Sequence, residues 1–212
     1  MFGIHDLGLF VVSGILFNLA PGPDVFYVVS RSASHGARGG IVAALGIGTG
    51  CFVHILAAAV GLSAMLAASA TAFTVIKYVG AAYLVYTGVR MALASGIGGD
   101  AAPAAAPPRR GHRGVFVQGF LTNALNPKVA LFFLAFLPQF IDAGSPDKAL
   151  AFASLGLLLD ATGTACNMLL ALATARLASG FDRGGRTRRL FSRGAGALFV
   201  LLGVRLALAD RV

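Results

Sequence analysis

Long apolar stretches separated by short polar joints set the pattern of this chain. Six stretches reach the ~20 residues that a helix needs to cross a bilayer. They run over about 7–29, 40–66, 72–94, 115–141, 149–175 and 190–209. None shows the alternating polarity of a membrane β-barrel strand. The pattern therefore predicts an all-α membrane protein with six transmembrane helices. The longest joint, 95–114, reads SGIGGDAAPAAAPPRRGHRG, and its Gly, Ala and Pro content predicts a flexible linker. It separates a first three-helix unit, 1–94, from a second, 115–212. The start of the chain, MFGIHDLGLF, has no basic region ahead of its apolar run. The first run is therefore expected to stay as a spanning helix and not to be cleaved as a signal peptide.

Composition narrows the class further. Of the 212 residues, 57% are hydrophobic and 12% charged, and mean hydropathy is +0.81. Soluble domains carry about 25% charged residues, and one soluble core of this length cannot hide so much apolar surface. A soluble enzyme and a disordered chain are excluded. The net charge of +9 has an address. Twelve of the 17 Lys and Arg lie in or beside the first, third and fifth joints, from Arg31 and Arg38 through Arg109 and Arg110 to Arg189 and Arg193. The positive-inside rule places those joints in the cytoplasm and both termini in the periplasm. The basic rim faces the lipid surface and has no aromatic platform, so no nucleic acid is expected as a partner. Cys51 and Cys166 sit in apolar runs without metal-ligand spacing and read as packing residues.

The two halves resemble each other. At a shift of 115, Gly48-Thr49-Gly50-Cys51 falls on Gly163-Thr164-Ala165-Cys166. At the same shift AYLVYTGVRMALA (82–94) falls on ALFVLLGVRLALA (197–209), with eight of those 13 positions identical. Pro23-Asp24 matches Pro127-Lys128 at a shift of 104. Three spans per half is an odd number, so the second half enters from the opposite side. The expectation is two inverted three-helix repeats, an architecture of many secondary transporters.

Proline marks where the repeats are interrupted. The first run contains Asn18-Leu19-Ala20-Pro21-Gly22-Pro23-Asp24, and the fourth Asn123-Ala124-Leu125-Asn126-Pro127-Lys128. Proline removes a backbone donor and clashes with the preceding turn, and in lipid the freed carbonyls need protein or cavity water. Broken first and fourth helices at matching positions point to a binding site at mid-membrane. Their half-helix N-termini suit a carboxylate. Asp24, Lys128 and Asp160 add charges inside the runs, each costing about 2.5–3.5 kcal/mol near a span centre unless paired or hydrated. Asp24 or Asp160 is expected to bind a substrate ammonium or carry a proton, with Lys128 as counter-ion. A structural Lys–Asp pair, or Asp24 as a helix cap facing the cytoplasm, are the plainer alternatives. Asn18, Asn123 and Asn126 flank the breaks and can replace lost backbone bonds or touch substrate. His54 reads as a packed residue, and Gly46, Gly48 and Gly50 as a close-packing stripe. Asn167, Gln118 and Gln139 remain open either way.

Taken in order, Asn18 to Pro23, Gly46-Ile47-Gly48-Thr49-Gly50, Lys77-Tyr78-Val79-Gly80 with Gly88, and Gly119-Phe120 to Asn126-Pro127-Lys128 running into Phe136-Leu137-Pro138-Gln139-Phe140 resemble the LysE/RhtB family of bacterial amino-acid exporters. The Pro-Gly-Pro-Asp and Asn-Pro-Lys pairing is closer to its homoserine, threonine and neutral amino-acid branch. The resemblance implies export from the cytoplasm across the bacterial inner membrane driven by the proton motive force, no prosthetic group and no enzymatic activity. The substrate site is expected at Asn18, Pro21, Gly22, Pro23, Asp24, Asn123, Asn126, Pro127, Lys128 and Asp160, with alternating access around it. An exporter of metal cations or other ions is the competing class, and it needs a cluster of ligands. The oligomeric state stays open, a homo-oligomer included.

Overall fold

The computed structural model describes residues 2–20, 22–62, 111–142 and 144–177, with isolated positions at 74–75, 78–79, 81–82, 85–86, 89, 200–201 and 204. Among them every regular element is helical, and one isolated bridge pairs Ile4 with Ile141. Pro21, most of the third and sixth apolar runs, and nearly all of the linker lie outside the described residues, as does most of the 82–94 and 197–209 match.

Helix α1, Leu7–Leu19, stops where proline chemistry requires it to stop. Ala20 precedes Pro21 and is extended, at φ −63° and ψ 129°, because a proline's ring crowds the helical conformation of the residue before it. Helix α2, Pro23–Leu56, restarts with Pro23 at its first position, where no N–H is needed. A short π-helix, Ala57–Leu62, continues it. Helix α3, His112–Ala124, and helix α4, Pro127–Phe136, repeat the device. Asn126 caps α4 by accepting from the Lys128 N–H at 3.0 Å, and Pro127 takes the first position. A 3-10 turn, Leu137–Phe140, prolongs α4, and the two pieces bend by 46° at the break. Helix α5, Lys148–Leu177, is uninterrupted.

Helix α2 is not one straight rod. Gly36 has φ 67° and ψ −170°, a left-handed conformation that only glycine adopts without strain. A side chain at Gly40 would meet Ser32 Oγ at 2.6 Å. In a straight helix those positions stand ~12 Å apart. The chain therefore folds back at Gly36, leaving a first arm (23–35) and a second arm (37–56). The polar joint expected at 31–39 is thus a one-residue corner between helices, with Arg31 and Ser32 already buried inside the first arm.

Residues 23–61 and 148–176 are each long and apolar enough to cross a membrane, and the bent α3–α4 pair makes a third candidate. Side-chain contacts give the directions. Phe17 stacks on Phe132 and Phe10 on Phe136, so α1 runs antiparallel to α4. Gly40 lies against Ala171, Gly48 against Thr164 and Ile55 against Gly156, so the second arm runs antiparallel to α5.

Two apolar clusters hold the bundle. One is aromatic, built on Phe10, Phe17, Phe132, Phe136, Phe140 and Phe152. The other is small-chained, with Val28, Ala43, Ala44, Ile47, Val115 and Ala171. Glycine sets its spacing. A Cβ on Gly46 would strike the Phe116 carbonyl, and one on Gly119 would meet the Ala43 carbonyl at 2.8 Å. The obstacle is backbone in both cases and cannot rotate away. Gly46→Ala is expected to cost about 1–3 kcal/mol of overpacking, lowering the detergent unfolding midpoint by about 3–8 °C. Gly8→Ala, with nothing within 4 Å of its Cβ, leaves the midpoint unchanged.

Candidate functional site

The two helix breaks lie side by side, and a cavity of about 40 Å³ opens where the aromatic and small-chained clusters meet. At the ~10–15 Å³ that one water requires, it has room for about three. Asn18, Gly22, Asp24, Asn123, Asn126, Lys128 and Asp160 all line it. Pro23 and Pro127 start the helices that carry Asp24 and Lys128, and they stand outside the lining.

Asp24 and Lys128 occupy equivalent places, one residue past the proline that restarts each rod. Each reaches across to the spent end of the other rod. Lys128 Nζ donates to the carbonyls of Phe17 at 3.2 Å and Ala20 at 3.1 Å, and lies 4.4 Å from the Phe17 ring centre. Both carbonyls belong to the end of α1, where the regular helix bonds run out; that of Phe17 also accepts from the Ala20 N–H at 3.2 Å, and a cation there meets the negative end of the helix dipole. Asp24 Oδ2 accepts from Asn123 Nδ2 at 2.9 Å, in the last turn of α3, and from Asn126 Nδ2 at 3.2 Å, the residue that caps α4. Its helix is capped by Gly22 without any side-chain bond, so Asp24 is not the cap. Lys128 forms no ion pair with Asp24 or Asp160 among the described residues. Its hydrogen bonds go to the broken end of α1, while Asp24 stays within electrostatic reach of it.

Two acceptors in this cluster have no donor. Asp24 Oδ1 and Asn123 Oδ1 are buried and meet no partner among the described residues. A buried acceptor left unmatched costs about 1–3 kcal/mol, so the pair is a standing demand for a hydrogen-bond donor.

The opposite wall comes from α5. Asp160, Thr164 and Asn167 follow one another at the i, i+4, i+7 spacing that puts them on one helix face, and all three line the cavity. Thr164 Oγ1 donates to Asp160 Oδ1 at 3.4 Å, and a Cβ on Gly48 would run into the Thr164 hydroxyl. Asn18 Nδ2 donates to the Leu159 carbonyl at 3.3 Å and lies over Gly163. Thr164 and Cys51 were visible in the sequence only through the Gly-Thr-x-Cys match, which by itself carries no chemistry. Phe17 and Phe133, also in the lining, carry no sequence signal that separates them from other core aromatics.

The remaining polar candidates bond to other groups of the protein. His54 Nε2 meets the Asn123 carbonyl at 2.9 Å, tying the second arm to the last turn of α3. Gln139 donates to its own helix at the Ala135 carbonyl, 2.9 Å away. Gln118 accepts from Arg31. Among the described residues no group of three or more His, Cys, Asp or Glu side chains is arranged to hold a metal ion.

The chain matches the family profile described as LysE type translocator over residues 15–210. It is 35% identical to an uncharacterized membrane protein of Pseudomonas aeruginosa over 209 residues, 98% of this chain and 97% of that protein. It is 30% identical to the homoserine/homoserine lactone efflux protein of Salmonella typhimurium over 203 residues, covering 94% and 95% of the two chains. An uncharacterized membrane protein of Bacillus subtilis is 34% identical over 145 residues, 66% of this chain and 69% of that one. No solved structure matches it.

Proposed function

Because the chain belongs to the LysE type translocator family, and is therefore a membrane transporter and not an enzyme, we propose that it exports a small zwitterionic amino acid. Homoserine and threonine are such substrates, and homoserine lactone, which keeps the ammonium but has no free carboxylate, is a further one in view, since a relative aligned over nearly the whole chain is a homoserine/homoserine lactone efflux protein. The observation that carries this reading is the pair of buried, donorless oxygens on Asp24 and Asn123, two residues that line the cavity. An ammonium group supplies the donors they lack, and the negative charge of Asp24 strengthens those bonds. The carboxylate of the substrate fits the open N-terminus of α2, which has no side-chain cap, with the Lys128 ammonium beside Gly22.

Transport would proceed by alternating access, one half moving on the other around this cavity in the bacterial inner membrane. The antiparallel course of α1 against α4, and of the second arm against α5, supports two inverted halves. Both termini would face the periplasm, as the distribution of Arg and Lys favours. Asp160 is the group best placed to carry the coupling proton, because among the described residues its side-chain hydrogen bonds are to the neutral Thr164 and Cys51 and it has no ion pair. Asp160→Asn is expected to abolish accumulation against a gradient in inside-out vesicles while sparing exchange of labelled for unlabelled substrate. If the variant still accumulates substrate at the wild-type level, Asp160 is not the proton carrier. The wider test is efflux of labelled homoserine from loaded cells, which should fall to the rate of cells lacking the protein when an uncoupler is added. Efflux equal in cells with and without the protein would defeat the export reading.

A further inference from the structure

Arg31 is one of the largest fully buried side chains among the described residues, 2% exposed. Its Nη2 donates to Gln118 Oε1 at 2.7 Å, and its guanidinium carbon lies 5.2 Å from the centre of the Tyr27 ring. The other two nitrogens, Nε and Nη1, are buried and meet no acceptor among the described residues. No carboxyl group there pairs with it either. Arginine cannot shed its charge to escape such a site, and a buried ion lacking a partner is strongly destabilising. Packing alone does not call for a guanidinium here.

Its position is informative. Asp24, Tyr27 and Arg31 follow one face of the first arm at i, i+3 and i+7, which places Arg31 about 10 Å from Asp24, towards the Gly36 corner. Between the first arm and α3 the space is closed by the Arg31–Gln118 bond and by Tyr27 Oη donating to the Val115 carbonyl at 2.8 Å. These are side-chain bonds across an interface that meets the cavity at one end.

We propose that Arg31 is a carboxylate-docking site on the access route between the first arm and α3, receiving the carboxylate of an amino acid before its ammonium reaches Asp24. This rests on the exporter reading. The two charges of an α-amino acid are too close together to bridge ~10 Å, so Arg31 and Asp24 act in succession. A carboxylate in place of Gln118 makes two parallel bonds to the guanidinium, where one amide oxygen makes a single bond.

Homoserine and homoserine lactone separate this role from a structural one. Both carry the ammonium, and only homoserine carries a free carboxylate. Initial rates of uptake into inside-out vesicles give KM for each. Arg31→Gln is expected to raise the KM for homoserine about tenfold or more, the value of a charged hydrogen bond, and to leave the lactone within about twofold. Arg31→Lys keeps the charge without the planar fork and should raise the homoserine KM about threefold, again sparing the lactone. It also provides the reading if Arg31→Gln fails to insert. Equal shifts for both compounds in either inserted variant, or no shift for either, would overturn the docking role while leaving the exporter reading intact. Wild-type vesicles that take up neither compound would overturn both.

Discussion

Asp24→Asn is expected to reduce export of homoserine by about 10–100-fold, with normal amounts of protein in the membrane. Oδ2 of Asp24 holds the amides of Asn123 and Asn126, and an asparagine oxygen can keep those bonds. The loss falls on Oδ1, which has no partner among the described residues. There the substitution replaces half of a carboxylate with an NH₂ group that points donors at the incoming ammonium. A hydrogen bond to a charged group contributes about 1.5–3 kcal/mol, and each 1.4 kcal/mol is a factor of ten. The lactone shares the ammonium and should suffer to the same degree. Initial rates for both compounds, with the membrane level of the variant measured in parallel, check the prediction. Wild-type rates would place the ammonium elsewhere.

Lys128→Ala is expected to bring export below detection and to lower thermal stability as well. The substitution takes the Lys128 donor from the buried Ala20 carbonyl and leaves the Phe17 carbonyl with only the Ala20 N–H. A buried carbonyl left unmatched costs about 1–3 kcal/mol. It also removes the cation next to Gly22, where the substrate carboxylate is placed. Lys128→Arg keeps a charge and donors but needs space that the Phe17 ring and Gly22 already fill, so only partial recovery is expected. Efflux from loaded cells and the unfolding midpoint in detergent are the two measurements. An alanine variant that exports at the wild-type rate would show that the break in α1 does not need its cation, and the site assignment would fall with it.

These expectations share a physical basis. A helix interrupted inside a membrane exposes carbonyls at one stump and N–H groups at the next, and both must be satisfied without bulk water. Here each rod supplies the group that the other lacks. Lys128 serves the C-terminal stump of α1, and the amides of Asn123 and Asn126 hold Asp24. The exchange uses two of the three donors of Lys128 and one oxygen of Asp24, and it leaves one carboxyl oxygen and one amide oxygen without a partner among the described residues. Satisfying the breaks thus leaves over the acceptors that the proposed substrate site would use.

The residues of the chain determined which segments are helical, where they stop and what they cost to bury. Proline acts on its own and neighbouring backbone, so the ends at Ala20 and Leu125 and the restarts at Pro23 and Pro127 are local consequences of sequence. The same holds for the apolar lengths of α5 and the second arm, and for the polar residues stranded within them. Partners are a different matter. Asp24 and Asn123 are 99 residues apart, and Lys128 and Phe17 are 111 apart. Composition and spacing set Lys128 against a carboxyl; only the packed helices show that its hydrogen bonds go to the carbonyls of Phe17 and Ala20. They placed Arg31 on a basic rim; the corner at Gly36 folds it inside. Sequence assigns each polar group a demand for partners, and only the helix surfaces brought face to face by packing decide which group meets it.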